Sequence, residues 1–345
     1  MVETGVANVA VETGKHIHTD QGHILEQIDG DVQSVNVLEG IMKNAQRNNN
    51  KAKTFSEVAE PKKEKYSEEP SAKRAKLSAV ESKLSFDPDV YRQYHEAKDR
   101  VRDFYKEQHE KQTMAYNLQA RINFKTKVRA KMTIWDALCK LSKLIDDSDP
   151  DTELSQIDHA IQTAEAIRED GKPRWMQLVG LIHDLGKILY FFDSEGQWDV
   201  VGDTFPIGCK FSEKIIFHEF FQNNPDRNHP IYSQKLGIYE ENCGLSSVMI
   251  SWGHDEYMYY LAKGQSVLNE QALAMIRYHS FYPWHREGAY RYLMNENDYK
   301  ILESVQAFNK YDLYSKGTKR HDIEELKKYY LDLIDEYFPT KLVEF

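Results

Sequence analysis

The stretch GLIHDLGKI, residues 180–188, sets His183 and Asp184 side by side in an otherwise apolar run, with Lys187 just beyond them. Imidazole and carboxylate are metal-ligand types, and an ammonium can only donate hydrogen bonds. On a helix, positions three and four apart share a face, so Lys187 would stand one turn beyond the pair, on the same side. A lone histidine beside a core stripe is ordinarily a satisfied structural residue. Burying all three groups without a task would be expensive. A metal site with a lysine reaching toward the substrate supplies such a task. One His–Asp pair cannot complete a metal shell, so the other ligands must come from elsewhere among the 13 histidines. His16, His18 and His23 fall in the aromatic-poor N-terminal tail, and His95, His109 and His321 sit among charged residues and read as exposed. His159 opens HAIQTAEAIRED, His254 sits in SWGHDEYMYY and His279 in MIRYHSFYPWH, while Asp312 has aromatic company in FNKYDLYS. Imidazoles with carboxylates suit one or two first-row metals better than calcium or magnesium, which prefer oxygen shells. A carboxylate able to bridge, with imidazoles on either side, points to a dinuclear centre built from facing helices.

Those side chains need helices to carry them, and the apolar spacing supplies them. In PRWMQLVGLIHDLGKILYFF, Leu178, Leu181, Ile182, Leu185, Ile188 and Leu189 form a stripe on one continuous helix. MTIWDALCKLSKLI, HAIQTAEAIRED, QALAMIRYHSF and DIEELKKYYLDLIDEYF repeat the pattern. DPDVYRQYHEAKDRVRDFYKEQHEKQT begins with Asp87 as N-cap and Pro88 at the first helical position. DSEGQWDVVGDTFPIG reads instead as a loop with at most a small hairpin. The expected fold is an all-α helical bundle of about eight to ten helices, without a solenoid repeat.

Composition divides the chain near residue 85. Residues 1–85 hold only two aromatics, Phe55 and Tyr66, while all five tryptophans follow. A segment so poor in bulk cannot offset its ordering entropy, so 1–85 is expected to be a disordered extension and 86–345 the folded domain. Lys62–Lys63 and Lys73–Arg74 match a bipartite nuclear-import pattern and, more commonly, a solvated charged tail. A net charge of −10 argues against a dedicated nucleic-acid partner. No run reaches membrane-spanning length, and no secretory leader is read at the N-terminus. The odd set Cys139, Cys209 and Cys243 suits small buried thiols in a reducing cytoplasm.

An early His159, the adjacent His183–Asp184 and a late Asp312 resemble the signature of the HD-domain superfamily, mostly metal-dependent phosphohydrolases. The segments DDSDPD, HAIQTAEAIR, LVGLIHDLGKI, VVGDTFPIGC, SWGHDEY, RYHSFYPWH and FNKYDLY, spread over residues 86–345, more specifically resemble the myo-inositol oxygenase family. That resemblance implies an HD-like helical fold and a mixed-valent Fe(II)/Fe(III) pair. It implies an O2-dependent, four-electron cleavage of the myo-inositol ring to D-glucuronate. One iron would be held by His159, His183, Asp184 and Asp312, and the other by His254 and His279, with Asp184 bridging. The polyol would meet Asp146 and Ser148, Gly202 and Asp203, His279 and Ser280, with Arg92 closing over it. Lys187 would donate to, or share a proton with, a substrate hydroxyl, so that Lys187 and Asp184 carry the catalysis. Asp255 would have a supporting role. A monomer with only myo-inositol and O2 as partners is expected.

Two rival readings remain at this level. An HD-type phosphohydrolase acting on a nucleotide accounts for His159, His183, Asp184 and Asp312 equally well. It has no need of His254 and His279 in aromatic surroundings, and an anionic substrate would favour several arginines near the metals. A non-catalytic interaction protein with a degenerate HD core is the other; its six intact candidate ligands count against it.

Overall fold

The computed structural model describes residues 99–149, 155–314 and 321–345. The expected extension 1–85, the caps Asp87 and Pro88, and Arg92 therefore lie outside the described residues. Helices dominate the rest, as the apolar spacing requires. In α1 (Asp99–Lys111), Val101, Phe104, Tyr105, Gln108 and His109 face inward. Thr113 caps α2 (Met114–Thr126) by accepting from the Tyr116 amide, and Thr133 caps α3 (Ile134–Leu141) in the same way through Asp136. Ser155 caps α4 (Gln156–Glu169), which packs closely on α5 (Arg174–Ile182). Further along, α6 (His254–Gln265) packs on α7 (Glu270–Tyr278), and the short α8 (Tyr282–His285) leads towards α9 (Glu296–Tyr314). The last helix, α10 (Ile323–Tyr337), is capped by Asp322 and lies against α5. Contacts of α9 with α4 and α7, and of α5 with α7, bring the metal-ligand candidates into one core.

The expected all-α class holds, with three local departures. The first is at the opening motif. The α-helix stops at Ile182, His183 is its C-cap, and Leu185–Phe191 continues as a 3-10 helix. Gly186 explains the crowding there: a Cβ on it would lie 2.1 Å from the carbonyl oxygen of His254. The backbone thus presses against the first residue of α6. In a 3-10 helix, residues three apart eclipse. Lys187 therefore stands over Asp184, its amide donating to the Asp184 carbonyl at 3.0 Å, and not over His183 as an α-helical turn would place it. Leu185 and Ile188 remain fully buried, each burial contributing roughly 1.5–3 kcal/mol.

Second, a strand pair forms outside the 193–208 segment, which is a loop as expected, with a 3-10 turn at Gln197–Asp199 and one isolated antiparallel bridge, Pro206 to Ile250, and no hairpin among the described residues. The sheet that does exist is tiny. Here β1 (Lys131–Met132) pairs antiparallel with β2 (Val343–Glu344), Lys131 opposite Glu344. Third, two burial expectations fail. His109 is fully buried, because its place on the inward face of α1 outweighs its charged neighbours; its ring stacks on Phe221 at 4.1 Å. Of the three free cysteines only Cys209 is buried; Cys139 is exposed and Cys243 intermediate.

Candidate metal centre

Four helices and one helix junction deliver the ligand candidates. His159 lies in the first turn of α4, His183 and Asp184 at the end of α5, His254 at the start of α6, His279 at the C-cap of α7, and Asp312 near the end of α9. All six are buried. Asp184 is the hub. Its Oδ2 lies 3.5 Å from Nε2 of both His159 and His183, whereas its Oδ1 lies 3.3 Å from Nε2 of His254 and 3.4 Å from Nε2 of His279. Asp312 joins the first pair, with Oδ1 3.1 Å from His159 and 3.4 Å from His183. One carboxylate oxygen thus faces each histidine pair.

The backbone sets which ring nitrogen points inward. Nδ1 of His183 meets the Gly180 carbonyl at 2.9 Å, Nδ1 of His254 the Val200 carbonyl at 2.8 Å, and Nδ1 of His279 the Ile276 carbonyl at 2.9 Å. A proton on Nδ1 leaves the Nε2 lone pair free for a cation. Two observations show that these residues fit a metal. Nε2 of His183 is buried without a hydrogen bond, and the Nε2 atoms of His254 and His279 face each other at 3.2 Å. Lone pairs so placed need a positive charge beside them. The carboxylates agree: Asp146, Asp184, Asp255 and Asp312 are gathered here with Lys187 as the neighbouring ammonium. Burial alone would raise the Asp184 and Asp312 carboxyls. Lys187 and the surrounding histidines outweigh it at Asp184, and His159 and His183 do so at Asp312, so both are held well below the usual carboxylate range. Burial likewise opposes charge on His254, yet Asp255 and Asp184 push it up to about 10. The pocket attracts cations, and a metal would displace that proton.

Lys187 is buried. Its Nζ lies 2.8 Å from Asp146 Oδ2 and 2.9 Å from Asp184 Oδ2, and donates to Gln156 Oε1 at 3.3 Å. Burial works against the ammonium, but the two carboxylates more than compensate and hold it charged, above the ordinary lysine value. Ser148 donates to Asp146 through both its amide and its hydroxyl, at 2.9 and 2.6 Å. On the opposite side, Ser280 donates through its hydroxyl to Asp255 Oδ1 at 3.0 Å, and its carbonyl accepts from the Thr204 amide. Gly202 and Asp203 belong to that loop. Gly202 has φ +91°, and a Cβ on it would strike the Phe104 ring at 2.7 Å. Asp203 Oδ1 accepts from the Tyr105 hydroxyl at 3.2 Å.

Two participants, Gln156 and Tyr105, escaped the sequence reading. Gln156, one turn before His159 on α4, carried a signal in that spacing. Tyr105 had none beyond its place on the inward face of α1. Asp255, expected only in support, puts Oδ1 2.7 Å from Nε2 of His254. Arg92 lies outside the described residues.

Comparison with known proteins then narrows what such a site does. Residues 98–345 match the family profile of myo-inositol oxygenase. An inositol oxygenase of Dictyostelium discoideum is 48% identical over 259 residues, covering 73% of this chain and 89% of its own length. Inositol oxygenase 1 of Arabidopsis thaliana is 49% identical over 246 residues, 70% of this chain and 79% of its own. The Mus musculus inositol oxygenase is 45% identical over 268 residues, 76% of this chain and 94% of its own.

Proposed function

The chain belongs to the myo-inositol oxygenase family, and from that premise we propose that the pocket around Asp184 is where it uses O2 to open the ring of myo-inositol. It is an oxygenase, and the nucleotide phosphohydrolase reading is not favoured. Ring opening to D-glucuronate breaks one carbon–carbon bond; one oxygen atom of O2 enters the product and the other leaves as water, a four-electron oxidation. Two irons, Fe(II) and Fe(III), would be held by His159, His183, Asp312 and Asp184 on one side and by His254, His279 and Asp184 on the other. When bound, such a pair supplies Lewis acidity toward vicinal hydroxyls and electrons for O2. The observation that carries this reading is the division of Asp184, one oxygen toward each histidine pair.

The remaining residues bind and orient a neutral polyol. Lys187, kept charged by Asp146 and Asp184, is a donor to a ring hydroxyl and not a base. Asp146 stays ionised because Lys187 and Ser148 overcome its burial, so it can accept a hydroxyl proton in a hydrogen bond. Ser280, oriented by Asp255, and Asp203, oriented by Tyr105, present further polar groups from the facing side. Arg92 would close the pocket. Short polar groups converging from several loops suit a ring of hydroxyls. Among the described residues no helix is long and apolar enough to cross a membrane. Three free thiols support a reducing cytoplasm as the place of action.

Metal analysis tests the reading. The iron-loaded chain should hold two irons and give an odd-electron EPR signal that changes on adding myo-inositol. A single iron, or a signal indifferent to the polyol, would contradict it.

A further inference from the structure

A chain of buried polar side chains runs behind the metal pocket without touching its centre. Gln112, at the end of α1, donates through Nε2 to the Trp252 carbonyl at 2.7 Å, and its Oε1 accepts from Asn117 Nδ2 at 2.9 Å. Asn117 Oδ1 accepts from the Trp252 amide at 2.7 Å and from Arg121 Nη1 at 3.1 Å. Arg121 Nη2 then donates to the Ile250 carbonyl at 2.6 Å and to Glu256 Oε2 at 2.8 Å. Glu256, fully buried, also takes a hydrogen bond from Arg277 Nε, and Arg277 Nη2 reaches the Val248 carbonyl at 3.3 Å. The partners of this network lie on both sides of His254: Val248, Ile250 and Trp252 before it, Glu256 after it. Arg277 stands two residues before His279. The network therefore ties the backbone that delivers one histidine to the helix that delivers the other.

We propose that the Gln112–Asn117–Arg121–Glu256–Arg277 network is a positioning device that sets the separation of His254 and His279 and thereby the affinity of the metal they hold. A buried ion cluster gains little stability over a packed apolar one, since desolvation offsets attraction. Three charged groups are retained here against that cost. Apart from local bonds within α2 and one from Gln112 to the Trp198 carbonyl, the network's hydrogen bonds go to the His254 segment or to the end of α7. Because its backbone contacts fall on Val248, Ile250 and Trp252 and its Arg277 lies two residues before His279, the half of the centre formed by His254 and His279 should depend on it most. This inference rests on His254 and His279 holding a metal.

The experiment titrates anaerobic Fe(II), and separately Co(II) with its visible absorption, into the metal-free full chain and into Arg121→Met, Glu256→Gln and His254→Ala. Arg121 is partly exposed, so its variant is the one expected to fold readily; circular dichroism checks each. In Arg121→Met and Glu256→Gln one site should keep its affinity while the other weakens roughly 10–100-fold. The weakened site should be the one that His254→Ala abolishes, and Arg121→Lys should fall between wild type and Arg121→Met. Wild-type affinity at both sites in the folded Arg121→Met and Glu256→Gln proteins would overturn the proposal. So would loss of fold, or equal loss of both metals, in Arg121→Met, because the network would then serve stability alone. If His254→Ala itself keeps two sites of wild-type affinity, the ligand assignment fails, and the proposal with it.

Discussion

Replacing Lys187 with methionine separates the electrostatics of the pocket from its chemistry. The unbranched apolar stem is kept, one atom shorter, but the ammonium between Asp146 Oδ2 and Asp184 Oδ2, at 2.8 and 2.9 Å, is gone. Breaking a buried ion pair leaves an uncompensated charge and costs about 3–5 kcal/mol. At roughly 2–4 °C per kcal/mol for a domain of this size, the metal-free variant should melt on the order of 10 °C below wild type. Bound metal would satisfy Asp184, so the deficit should shrink in the loaded protein and fall chiefly on Asp146. Adding Asp146→Asn removes that orphaned carboxylate while keeping an acceptor for Ser148, and the double variant should regain most of the lost stability. Turnover should not return. Loss of a donor to a reacting hydroxyl in a dry site costs about 2–4 kcal/mol, or roughly 10²–10³ in rate. Thermal melts with and without iron, run beside glucuronate assays, read both effects. Wild-type turnover in Lys187→Met would refute the substrate role, and a double variant no more stable than the single would refute the charge argument.

Other perturbations probe different parts of the fold. Asp184→Ala should lose the coupled two-iron EPR signal outright, whereas His254→Ala should weaken mainly one iron; coupled irons in Asp184→Ala would show that another group bridges. Gly186→Ala places a Cβ 2.1 Å from the His254 carbonyl, so it should cost about 1–3 kcal/mol by overpacking and lower iron content, and a variant with wild-type melting and iron would mean that contact gives way freely. Burial lowers His109 from 6.5 to about 3. The unfolded chain then binds a proton that the folded chain refuses, so this contribution is complete above pH 6.5 and is lost as pH falls, amounting to about 2 kcal/mol by pH 5. His109→Phe, which can keep the stack on Phe221, should flatten the urea-midpoint profile between pH 7 and 5 relative to wild type; parallel profiles would exclude the histidine as the cause.

Much of this site was legible because its residues break the pattern around them. His183 and Asp184 interrupt a core stripe, His254 and His279 sit among aromatics, and Asp312 lies between Tyr311 and Leu313. Apolar spacing alone placed most of the helices that carry them. What spacing could not reveal depends on tertiary contacts. The 3-10 winding after Asp184 accompanies the approach of Gly186 to His254, a residue distant in sequence. The β1–β2 pair is two residues long on each side, too short for any alternation to register. The charged neighbours of His109 suggest exposure, although its distance from Val101 and Tyr105 along the helix follows the buried face. The supporting role expected of Asp255 fits its contacts with His254 and Ser280, but the sequence alone does not reveal which way that carboxylate turns.

The central claim is that this pocket consumes O2 to cleave a polyol ring. The most direct measurement gives the iron-loaded chain myo-inositol and isotopically labelled O2 and follows glucuronate, O2 uptake and label together, with phosphate release from nucleotides as the parallel assay. The account predicts one glucuronate per O2, one labelled oxygen in each product molecule, and no phosphate release above background. Phosphate release without glucuronate, or glucuronate without label, would contradict it.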